Sequence, residues 1–208
     1  MQTLDRFFQQ VTKPMVFGLM ALLAVISYSY LDLPIAAWFH GMDSRYYYHW
    51  LFYLTAVGKW TAWTAVFGIL TIHFTWLRPN ALWRNRLILL LMAVLIPNMF
   101  CLILKVILGR ARPELFFDYN LYGFFWFKFK KLYWSFPSGH TTTITALVLA
   151  LIALWPRRWP IFLVIGLLVI ATRVILYEHY FSDVIATLYL TILIMSGVIP
   201  GWRLLTKA

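Results

Sequence analysis

Acidic side chains are scarce in this chain. Seven Asp and Glu stand among 208 residues, and all charged residues together reach 12%, about half the roughly 25% of an average globular protein. So little charge cannot cover a water-facing shell, which excludes an ordinary soluble domain. Cysteine is nearly absent: Cys101 is the one present, inside an apolar run, so no internal disulfide forms and the redox compartment is not written in the sequence. Repeats, low-complexity tracts and a composition shift marking a second domain are also missing, and residues 1–208 read as one domain. Histidines and acids do not cluster at metal-ligand spacing, apart from the pair His179 and Asp183.

What is present is apolar and aromatic. Hydrophobic residues make up 62% of the chain and aromatic ones 19%, and Trp and Tyr favour the headgroup level of a bilayer. The solvent is therefore lipid. The formal charge of +11 comes from basic residues placed mostly at the ends of apolar runs. That placement suits anionic headgroups or a phosphate-bearing substrate; nucleic-acid binding would call for a basic stripe on a soluble fold.

About 20 apolar residues cross the hydrocarbon core. Six windows free of Asp, Glu, Lys and Arg run from Pro14 to Leu31, Trp60 to Leu77, Leu87 to Leu104, Thr141 to Trp155, Trp159 to Thr172 and Val184 to Trp202. The expected fold is an all-α, polytopic bundle of six transmembrane helices. The first window is too long for a signal-peptide core and no small-residue cleavage site follows it, so it is expected to be a retained span. The short connections holding Arg78, Arg84 and Arg86, and Arg157 and Arg158, read as cytoplasmic loops. The long connection from Gly109 to Phe136 then lies outside. Its stretch LYGFFWFKFKKLYW, residues 121–134, alternates bulky rings with Lys128, Lys130 and Lys131. Such a stretch can lie in the interface on headgroups or form a lid over a site; both readings stand.

Three short patterns carry chemistry. Lys105 is followed after six residues by Arg112 and Pro113, at the end of window three. Alone, these are interfacial anchors and a helix stop. Pro137, Ser138, Gly139 and His140 precede window four. They could be a capped turn, yet free N–H groups at a helix start with no Cβ at Gly139 would cradle phosphate oxygens. Arg173, His179 and Asp183 join windows five and six. In helical geometry His179 and Asp183 share a face, so the carboxylate could fix the imidazole tautomer. With six spans, all three patterns fall on one membrane face whichever way the chain inserts. That convergence favours a site over three coincidences.

In this order, K-x6-R-P, P-S-G-H and (S/T)-R-x5-H-x3-D resemble the three-part signature of the type 2 phosphatidic acid phosphatase superfamily, with Thr172 where serine is usual. The resemblance implies a membrane lipid phosphatase in which His179 attacks phosphorus, Asp183 supports its imidazolium, and His140 protonates the departing lipid oxygen. Lys105, Arg112 and Arg173, with the amides near Ser138 and Gly139, would hold the phosphoryl oxygens. Neither metal nor other cofactor is expected. Phosphatidylglycerophosphate, undecaprenyl diphosphate, phosphatidic acid and lipid A all suit such a site. The expected setting is a bacterial inner membrane, with the site facing the periplasm or exterior. Three rivals remain: a lipid-to-lipid phosphotransferase, a non-catalytic phospholipid-binding or transport protein, and a vanadate-holding haloperoxidase.

Overall fold

The computed structural model describes residues 2–207, with the side chains of residues 3–206, so the side chain of Lys207 lies outside the described set. It is helical throughout its regular elements. Helix α1 (Gln2–Val11) is amphipathic and tucks Leu4 and Phe8 into the core. Helix α2 (Pro14–Ile26) starts with Pro14, whose missing N–H costs nothing at a first helical position. It passes through a π-helical turn, Ser27–Leu31, directly into α3 (Asp32–Gly41), forming one 28-residue helix over Pro14–Gly41. The first window therefore does not stop at Leu31: it carries the acid Asp32 with it, fully buried.

Two short helices, α4 (Ser44–Tyr47) and α5 (Leu51–Ala56), precede α6 (Trp60–Ile72), which continues through a second π-helical turn, His73–Leu77. Helix α7 (Ala81–Leu108) opens on Asn80, whose side chain accepts from Trp83 N, and closes on Gly109 at φ 56°. A left-handed residue at that position favours glycine, because a Cβ would clash. Pro113 does not act as the helix stop: Gly109 has already ended α7, and Pro113 opens the short helix α8 (Pro113–Tyr119). The expected outer loop is thus partly helical, and an isolated bridge between Arg110 and Phe124 pins its return.

Helix α9 (Gly139–Leu154) is central and packs against α7, α10 (Trp159–Ile175) and α11 (Phe181–Lys207). Its first turns are threonine-rich and buried. Their hydroxyls fold back, Thr142 Oγ1 to Ser138 O at 3.0 Å and Thr143 Oγ1 to Gly139 O at 2.9 Å, and Asn98 Nδ2 on α7 donates to Thr143 Oγ1 at 3.2 Å. Small side chains with satisfied hydroxyls let helices approach closely where apolar burial gives little drive, as in lipid. Below them Leu89, Ala93, Val94, Ala146, Ala150, Met195 and Ile199 form the apolar core.

Outward, the pattern inverts that of a soluble protein. Val164, Ile165 and Leu168 on α10 and Phe17, Leu19 and Leu22 on α2 are exposed, as lipid-facing surfaces are. Among the described residues, four helices are long and apolar enough to cross a membrane: Pro14–Gly41, Ala81–Leu108, Pro156–Ile175 and Phe181–Thr206. The expected second and fourth windows are helical as well, over Trp60–Leu77 and Gly139–Leu154, but neither meets that measure.

Candidate active site

The last turn of α7, the entry to α9 and the α10–α11 junction meet at one end of the bundle. Lys105 Nζ donates to Trp134 O at 2.9 Å, which draws the loop back across the helix end. Arg112, extended just before α8, donates through Nη1 to Glu178 Oε2 at 2.7 Å. A Cβ built on Gly139 would meet nothing nearer than Lys105 Cε, at 3.9 Å. The start of α9 is therefore open toward the lysine, and a helix N-terminus facing a cation is a natural seat for an anion.

Ser138 takes another part than expected. It is fully buried; its hydroxyl oxygen caps α9 by accepting from Thr141 N at 3.4 Å and also accepts from Thr141 Oγ1 at 3.0 Å, and its N–H donates to Thr187 Oγ1 on α11 at 2.9 Å. Its hydroxyl is committed to the start of α9 and its N–H to α11, which leaves the amides of Gly139 and His140 as the candidates to face an anion at this helix start.

His179 sits in the turn between α10 and α11, almost fully buried. Its Nδ1 lies 2.5 Å from Ser135 O, whereas Asp183 Oδ2 is 4.0 Å away, beyond hydrogen-bond reach. The direct bond anticipated between His179 and Asp183 is not made. The reason is local: the chain is not helical until Phe181, and Asp183, in the first turn of α11, bends back to accept from Tyr180 N at 2.9 Å, the N3-to-cap half of a capping box. Ser135 links the two instead, because its hydroxyl donates to Asp183 Oδ2 at 2.6 Å while its carbonyl faces the imidazole. A carbonyl only accepts, so Nδ1 carries the proton and Nε2 is left with a free lone pair. Burial, followed by the charges of Arg112, Arg173 and Lys105, holds the His179 pKa well below its ordinary value, so the ring is neutral.

Arg173 Nη1 donates to Thr55 Oγ1 at 2.9 Å, and its Nη2 approaches Glu178 Oε2 at 3.4 Å. Arg45 reaches the same carboxylate at 3.5 Å. Glu178 thus gathers three guanidinium groups. The Nε atoms of Arg112 and Arg173 are buried without any partner, which leaves donors to spare in a site already rich in positive charge. His140 leans on Gly58: a Cβ there would stand 2.7 Å from His140 Cδ2.

A second layer lies behind Asp183. Arg110, the largest fully buried side chain, donates through Nη1 to Asp183 Oδ1 and through Nη2 to Asp32 Oδ2, both at 2.5 Å. Asp32 also accepts from Ser182 N at 2.8 Å. Tyr28, Tyr122, Phe124 and Tyr180 surround the guanidinium. Burial alone would disfavour its charge, but Asp183 and Asp32 together raise its pKa above the ordinary range. Sequence reasoning assigned no role to Arg110, Asp32, Ser135, Glu178, Thr55 or Gly58. Asp32 alone gave a signal, as an acid at the end of an apolar window, where acids are rare and usually paired.

These elements define a helical membrane fold with a cluster of cationic side chains around a neutral, oriented histidine. The family model of the PAP2 superfamily matches residues 86–205, more than half of the chain, and the chain belongs to that superfamily. Among curated proteins it is 39% identical over 99 residues to a lipid A 1-phosphatase of Rhizobium johnstonii, covering 48% of this chain and 41% of the relative. It is 43% identical over 86 residues to a lipid A 1-phosphatase of Rhizobium etli, covering 41% and 37% respectively. The match therefore spans about two fifths of each relative's length. No solved structure matches the chain.

Proposed function

We propose that this protein is a metal-independent membrane phosphatase that removes a phosphate from a lipid headgroup through a phosphohistidine on His179. The observation that carries the reading is the contact of His179 Nδ1 with Ser135 O, from which the tautomer follows. With Nδ1–H held by Ser135 O, Nε2 is free to form the N–P bond as the bond from phosphorus to the lipid oxygen breaks. His140 gives that oxygen its proton. It then takes a proton from the incoming water, whose oxygen displaces His179 and releases phosphate. Lys105, Arg112, Arg173 and the Gly139 amide stabilise the charge on the phosphoryl oxygens, and the two unpartnered arginine Nε atoms support this. Asp183 acts through Ser135 and through its field on the imidazolium.

The relatives make lipid A the first substrate to test, beside phosphatidylglycerophosphate, undecaprenyl diphosphate and phosphatidic acid. The proposed setting is a bacterial inner membrane with the site toward the periplasm. Phosphate release from the four lipids should be measured for the purified wild type and for His179→Ala. Release from at least one lipid, lost in the variant, supports the reading; a variant as active as wild type refutes the nucleophile. Transfer of label to a second lipid with no free phosphate would identify a phosphotransferase instead.

A further inference from the structure

A cavity of about 740 Å³ opens in the half of the bundle away from the catalytic end. Near the catalytic end α9, α10 and α11 are sealed together by Ile144, Val169, Ile170 and Val184. Beyond that seal α10 and α11 both line a groove that runs along α9 from Thr145 to Pro156. The ten residues of α9 from Thr145 to Leu154 span about 15 Å, half the ~30 Å thickness of a hydrocarbon core. The groove is as deep as one leaflet.

Its walls are nearly all apolar, including Val148, Ile152, Leu163, Leu167, Leu188 and Ile192. Leu163 and Leu167 are also exposed, so the groove opens sideways toward lipid. At its far end the character changes. Arg157, from the α9–α10 turn, and Arg203, from the last turns of α11, both line the mouth, with Thr3 and Phe7 of α1 as its floor. Arg203 Nη1 is bonded to Asp5 at 2.6 Å, but its Nη2 is buried without a partner among the described residues. A buried, unspent guanidinium donor costs free energy unless something accepts from it.

We infer that this groove is a phospholipid site distinct from the catalytic one: an acyl chain lies along α9, and the anionic headgroup of the same lipid bonds to Arg157 and Arg203. The lipid belongs to the leaflet opposite the catalytic face. Chain depth, apolar walls and a cationic mouth match the three parts of such a ligand. Arginine suits the mouth because its planar fork pairs with phosphate oxygens.

Native mass spectrometry of the full chain in detergent tests this, with dioleoyl phosphatidylglycerol and dioleoyl phosphatidylcholine as probes that share their tails and differ in net charge. Wild type should retain one phosphatidylglycerol in preference to phosphatidylcholine. Arg157→Gln, on an exposed turn, should reduce that preference at least about fivefold, equivalent to ~1 kcal/mol. Leu163→Trp, which fills the groove from its lip, should reduce retention of both lipids. Size-exclusion profile and thermal transition of each variant report whether it is folded, independently of any phosphatase activity. Equal retention of both lipids by wild type, retention undiminished in folded Leu163→Trp, or loss that follows Arg112→Gln in place of Arg157→Gln would each overturn the inference. A lipid-independent dimer in the same spectra would do so too, by assigning the groove to a second copy.

Discussion

Arg110→Met tests whether Asp183 is held in place from behind. The substitution keeps most of the side-chain volume and removes the one guanidinium that serves both Asp183 and Asp32. Both carboxylates are fully buried. Asp183 would keep Ser135 and Tyr180 N, and Asp32 would keep Ser182, but neither would face a positive partner. Removing one partner of a buried ion pair costs about 3–5 kcal/mol, because the remaining charge has nothing to offset its lost hydration. Two carboxylates share this partner, so the loss should reach the upper part of that range, a large share of a typical domain's stability of about 5–15 kcal/mol. Arg110→Lys restores a charge, yet a single ammonium cannot reproduce a fork that spans two acids, so it should fall between Met and wild type. Chemical or thermal unfolding in detergent gives the stability order. Phosphate release measured well below each variant's own transition gives the positioning effect, expected as a fall in kcat with KM little changed. If Arg110→Met unfolds within about 1 kcal/mol of wild type and turns over normally, the network behind Asp183 is irrelevant and the reasoning is wrong.

Other outcomes follow from the same geometry. Gly58→Ala would place a methyl 2.7 Å from His140 Cδ2 and displace the ring; a shift of about 1 Å can cost ~100-fold, and the loss should be greater for lipid alcohols than for an activated aryl phosphate, since only the former need His140 as acid. Equal losses on both would refute that role. The depressed His179 pKa has a sign that can be checked: the folded ring stays neutral while the unfolded one gains a proton, so its contribution to stability is complete above about pH 6.5 and is lost as pH falls from there. The transition of wild type should therefore drop faster over that range than that of His179→Asn. Glu178→Gln frees Arg112 and Arg173 from a competing carboxylate and should tighten inhibition by inorganic phosphate by about fivefold, ~1 kcal/mol; weaker inhibition would mean that Glu178 chiefly holds the arginines in place.

By itself the sequence determined the solvent, the helical class and the meeting of the three motifs at one end of the bundle. Those follow from composition, from apolar windows and from spacing, all of which are local. Lys105, Arg112, Gly139, His140, Arg173 and His179 were legible because helix ends place them by count along the chain. The tertiary structure alone decided what each of them touches. Asp183 reads as the direct partner of His179 because the two stand four positions apart, but the turn before α11 breaks the helical phase and Ser135, 44 positions from His179, takes the contact. Arg110 stands two residues from Arg112 and has no role legible in the sequence, yet it closes a buried network with Asp32, 78 positions away. The first apolar run seemed to end at that acid. It continues through it because the packed bundle supplies Arg110, so a charge that lipid would reject finds its partner only after α3, the α7–α8 linker and α11 have come together.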